Sequence, residues 1–111
     1  MAASLLLILV GCGSSARTPC SDIYRAVPNK SEIFVICPEV TSLSVDELRA
    51  SVEAVFTKYV GPPDETLLYY AESIPASERG EYNASYYTHS GSVSFYDEAG
   101  KTVREVVVHE W

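Results

Sequence analysis

Among its 111 residues the chain has three cysteines, two histidines, one tryptophan and eight basic side chains against fifteen acidic ones. Each shortage excludes something. The few Lys and Arg residues form no cluster, so neither nucleic acid nor an anionic lipid surface finds the counter-charge it requires. The acidic residues, which give a formal net charge of −7, are scattered from Asp22 to Glu110 without a run and read as a solubilising surface. With only His89 and His109 available as imidazoles, a zinc-type site on a cysteine pair would have to recruit both. We therefore expect no metal and no cofactor. No apolar stretch approaches the roughly 20 residues that cross a bilayer. A glycine-rich phosphate loop, an internal repeat and a nucleophile elbow are all missing, so no catalytic residue is assigned.

What is present begins with an apolar run over residues 5–10, followed by Gly11 and Cys12. The run is too short to span a membrane and fits the apolar region of a secretory leader. The motif Leu9-Val10-Gly11-Cys12 resembles the lipobox of bacterial lipoproteins. The stretch ahead of the run, Met1 to Ser4, departs from that pattern in having no Lys or Arg. The resemblance implies cleavage before Cys12, acylation of that cysteine (palmitate and related chains) and attachment to the cell envelope. Each buried methylene contributes about 0.8 kcal/mol, so two or three chains make a durable anchor where one does not. Gly13, in the place where Asp favours the inner membrane, implies an outer-membrane protein facing the periplasm in a Gram-negative host. The resemblance covers the leader alone and implies nothing about the rest of the chain.

The expected organisation is a signal peptide over residues 1–11, a flexible tether of small and polar residues over 12–19, and one domain over 20–111. With Cys12 acylated, Cys20 and Cys37 remain as an even pair in an exported protein, and a disulfide is expected between them.

The clearest element is a helix. Ser44-Val45-Asp46-Glu47 is a capping box, with Leu43 and Leu48 placed as a hydrophobic staple. Leu48, Val52, Val55, Phe56 and Tyr59 then recur on one face, and Gly61 with Pro62-Pro63 stops the helix. Ahead of it, residues 32–37 are apolar on both faces and predict a central strand ended by Pro38. Residues 66–73 predict a second strand, and residues 74–80, with Pro75, Ser77 and Gly80, a loop. Residues 81–89, 92–96 and 101–109 follow as three strands, joined by turns at Ser90-Gly91 and at residues 97–100. The expected fold is α+β: a β-α-β unit followed by a three-stranded antiparallel meander, with one helix on one face of a single sheet.

The eight tyrosines bear on the uncovered face. Tyr59 belongs to the helix stripe. Tyr69 and Tyr70 point to opposite faces; alternation puts Tyr82 with Tyr86 on one side and Tyr87 on the other. Tyrosines aligned on a sheet face stack on sugars or anchor proteins, although tyrosine also favours strands for ordinary packing. We take Tyr70, Tyr82, Tyr86, Tyr87 and Tyr96 as candidate binding residues. His89 beside Ser90, Ser92 and Ser94 suggests a hydrolytic set only if a carboxylate joins it, and it reads as a surface residue. Asp97-Glu98 reads as a solvated turn, not a cation site. Asn29-Lys30-Ser31 and Asn83-Ala84-Ser85 match a glycosylation pattern that a bacterial lipoprotein does not normally use.

The sequence therefore points to a non-enzymatic interaction module held at a membrane by Cys12, with an envelope protein as partner. A small-ligand or glycan binder using the tyrosine face is the alternative, and a hydrolase built on His89 a distant third.

Overall fold

The computed structural model describes residues 18–59 and 65–109. Among these residues one mixed sheet of six strands carries one main helix, an α+β fold. The strands are β1 (Ile23–Val27), β2 (Glu32–Ile36), β3 (Leu67–Ala71), β4 (Ala84–Tyr87), β5 (Ser92–Tyr96) and β6 (Thr102–Val107). They lie side by side in the order in which the chain makes them. Only β2 and β3 run parallel; every other neighbouring pair is antiparallel. The parallel pair needs a crossover, because a tight turn reverses the chain. The crossover contains α1 (Val45–Lys58).

Helix α1 starts where its cap dictates. Ser44 Oγ accepts from the Glu47 backbone N–H at 3.1 Å, and Glu47 Oε1 accepts from the Ser44 N–H at 2.8 Å. Two otherwise unsatisfied donors are thereby met. Leu48, Ser51, Val52 and Val55 are buried against the sheet. The expected stop at Gly61 and Pro62-Pro63 lies outside the described residues; the helix itself ends at Lys58.

Strand register places two rows of side chains beneath α1: Ile33, Leu68, Tyr86 and Val93, then Val35, Tyr70, Ala84 and Phe95. None of these is more than 3% exposed. Burying one large apolar side chain contributes about 1.5–3 kcal/mol, so this face is the main source of stability.

Cys20 and Cys37 form a disulfide with Cα atoms 5.3 Å apart. It joins the segment ahead of β1 to the end of β2 and stabilises by about 3 kcal/mol through restriction of the unfolded chain. Around it, Ser51 Oγ donates to the Cys20 carbonyl at 2.8 Å. That uses the one hydroxyl proton of Ser51, so the Tyr70 hydroxyl donates to Ser51 Oγ, also at 2.8 Å. Lys58 Nζ donates to the Ser21 carbonyl at 2.9 Å. The residues just ahead of β1 are thus fastened to the middle of α1 through Ser51 and to its last residue through Lys58.

Two elements differ from the sequence reading. Strand β1 was not anticipated: its interior is exposed and its pairing shifts between Ile23 and Arg25, so it leaves no period-two signal. The expected loop at 74–80 contains a short helix, α2 (Ile74–Glu78). Ser73 caps it by accepting from Ala76 N at 3.2 Å, and Pro75 sits in its first turn. Ser and Pro mark helix starts as well as loops, and the start won here.

Candidate functional site

The face of the sheet turned away from α1 carries its own aromatic cluster. Register puts Arg25, Phe34, Tyr69, Ser85, Ser94 and Glu105 in one row across all six strands. The Arg25 guanidinium lies 4.5 Å above the Phe34 ring. Phe34 stacks on Tyr69 with centroids 5.4 Å apart, and Tyr69 stacks on Tyr82 at 4.4 Å. Phe34 and Tyr82 also meet, at 6.0 Å. Phe34 is thereby covered to 3% exposure, although among the described residues no long helix covers it. Tyr69 and Tyr82 remain half-buried. Beside them the Tyr96 and Ser85 hydroxyls share a hydrogen bond.

The local field is set by this packing. Burial, then the negative charge of Glu32, hold the Tyr69 phenol above the usual range. The same two causes raise Tyr82, while Arg25 pulls it back. Both hydroxyls therefore stay protonated near neutral pH and remain available as donors.

At one end of the sheet, Tyr82 and Tyr96 line an open groove of about 740 Å³. Its walls are the residues around α2, including Glu72, Arg79 and Glu81, and the β5–β6 turn with Asp97 and Glu98. Arg79 is paired with Glu81 at 2.9 Å. Asp97 Oδ1 accepts from the backbone N–H groups of Ala99 and Lys101, both at 2.9 Å, which makes it a turn former. Gly100 closes that turn at φ +80°, where a side chain would be strained.

Of the five tyrosines picked from the sequence, Tyr82 and Tyr96 meet at the groove. Tyr87 is half-buried on the same face, paired across the sheet with Leu67 and Ser92, its ring 5.9 Å from His89. Tyr70 and Tyr86 are corrections: both are buried under α1, at 0% and 1% exposure. Burial pushes the Tyr70 phenol up to about 12 despite its bond to Ser51, and also raises Tyr86. Tyr82 does not share the face of Tyr86 either. Residues 81–83 precede the strand proper, so alternation counted back from Ala84 fails there.

Phe34 and Tyr69, which the sequence reading did not select, complete the cluster. Nothing in their own strands marks them, because β2 and β3 are apolar on both faces. Other candidates are not brought together. His89 is exposed and hydrogen-bonds none of Ser90, Ser92 or Ser94. Ser90 Oγ donates to the Tyr87 carbonyl and Ser94 Oγ to Glu105. Cys20, Cys37 and Glu39 lie close together, but the two sulfurs are bonded to each other. Cys12 lies outside the described residues. Among the described residues no helix is long and apolar enough to cross a membrane. Set against protein-family models, curated proteins and solved structures, the chain matches none.

Proposed function

We propose that this chain is a small lipid-anchored envelope protein that works as a non-enzymatic interaction module, docking a partner protein on the sheet face away from α1. The observation that carries this reading is the ring cluster of Phe34, Tyr69 and Tyr82, partly open to solvent on a face that no long helix covers among the described residues. Half-exposed aromatic rings held rigid by stacking are the side chains that dominate protein interfaces, since little rotamer freedom is lost when a partner arrives. The lipobox supplies the location, and the tether the reach.

Two experiments test the two halves. Cys12→Ser is expected to move the protein from the membrane to the soluble fraction without altering its thermal unfolding; retention at the membrane overturns the anchor. For the docking face, a photo-reactive residue is placed at Ser94, on the open face, and separately at Glu53, on the exposed side of α1. In producing cells Ser94 is expected to give a discrete adduct with one protein, identified by mass spectrometry, and Glu53 none. No adduct from Ser94, or equal adducts from both positions, overturns the docking face.

A further inference from the structure

We infer that the groove flanked by Tyr82 and Tyr96 receives a cationic side chain, Arg or Lys, from the docked protein. The inference rests on the open face being the docking surface and adds the chemistry of what enters beside it. The groove walls carry the carboxylates of Glu72, Glu81, Asp97 and Glu98 against the single guanidinium of Arg79. Glu81 is engaged with Arg79, and Asp97 Oδ1 with its own turn. Glu72 and Glu98 are exposed and have no partner among the described residues, so they are the groups free to meet an incoming cation.

The aromatic rings attract a cation independently of the acids. A cation held over an aromatic face is attracted by the ring quadrupole. This sheet already does so twice with its own side chains: Arg25 over Phe34 at 4.5 Å, and Arg104 over Phe95 at 4.2 Å. The first of these joins the same stack that runs through Tyr69 to Tyr82 at the groove. Glu32 adds negative charge near the hydroxyls of both Tyr69 and Tyr82, while Arg25 opposes it at Tyr82. The scattered acidity of the chain as a whole, net −7, steers in the same direction. An anionic ligand meets repulsion at every one of these points. A neutral glycan gains the ring contact but nothing from the charge.

The test uses the full chain carrying Cys12→Ser, with backbone amide resonances followed during titration by a capped tri-arginine peptide. Parallel titrations use a tri-glutamate peptide and the neutral sugar chitotriose. Tri-arginine is expected to shift Tyr82, Asn83, Tyr96 and Glu98, and tri-glutamate nothing. Tyr82→Ala is expected to weaken the tri-arginine complex about threefold. The exposed pair Glu72→Gln with Glu98→Gln, which leaves the core untouched, is expected to weaken it by a similar factor, as is raising the salt to about 0.5 M. Unshifted groove amides, or unchanged affinity in the Glu72→Gln, Glu98→Gln protein, overturns the inference. So does chitotriose shifting the groove where tri-arginine does not, which assigns the groove to a glycan. An adduct at Ser94 together with any of those failures leaves the docking face standing and removes only the cation; absence of the adduct removes the docking face by itself.

Discussion

Tyr69 and Tyr70 are neighbours in one strand, identical in composition and opposite in fate. Tyr70 is fully buried beneath α1 and donates to Ser51, which in turn donates to the Cys20 carbonyl. Tyr69, one residue earlier, stacks between Phe34 and Tyr82 on the other face and stays half-open to solvent. A strand's side chains alternate between faces, so a shift of one position exchanges a core residue for a surface one. The helix-side face is knit by apolar burial and a closed hydrogen-bond chain. The other is knit by rings and a guanidinium, with phenol groups left over. The first holds the fold together, and the second has contacts to spare.

The sharpest way to break this contrast is to truncate each ring in turn. Tyr70→Ala is expected to cost about 4 kcal/mol, since it leaves a large cavity under α1 and removes the donor to Ser51. Tyr69→Ala is expected to cost about 2 kcal/mol, the scale of its two lost stacking pairs with Phe34 and Tyr82. Urea unfolding of both proteins decides; equal losses would mean that the two faces are not distinct in energy.

A smaller effect separates the faces by pH. Tyr70 has its phenol pushed up from 10.0 to about 12 by burial, so the folded state holds that proton more tightly than the unfolded chain does. Stability from this source is complete below pH 10, where both states are protonated, and is lost as pH rises to about 12. The loss is on the order of 2–3 kcal/mol. Tyr70→Phe is expected to flatten this alkaline decline, while Tyr69→Phe alters it less; unfolding free energies measured from neutral pH to that limit would show the difference. The smallest expected effect is on the open face. Arg25→Gln removes the cation above Phe34 and is expected to cost about 0.5–1 kcal/mol in the same urea assay, with α1 signals unmoved.

Legibility in the sequence followed the strength of the local signal. The start of α1 was plain because Ser44 and Glu47 form the box reciprocally and the apolar stripe follows at helical spacing. The Cys20–Cys37 bridge was plain because reading Cys12 as the lipid-bearing cysteine leaves one even pair. The turn at Asp97 and Gly100 was plain because both residues do there what their chemistry favours. The candidate site was only half visible. Leu67, Leu68, Tyr69 and Tyr70 offer no polar residue to show which phase faces the helix, so the strand by itself does not tell that Tyr70 is core and Tyr69 surface. Tyr82 was assigned by extending an alternation into residues that are not strand. In both cases the missing information was tertiary: where α1 lies, and where the chain leaves α2.

The bridge between Cys20 and Cys37 also decides how the domain carries a load. Tension applied to the chain at Thr18 reaches Cys20 and crosses the sulfur atoms into Cys37, directly behind β2. Strand β1 is bypassed, and it is the strand a pull from that end would otherwise unzip first, one pair of hydrogen bonds at a time. An edge strand of the sheet is thus taken out of the line of force, and the strain passes to an interior strand held between two neighbours.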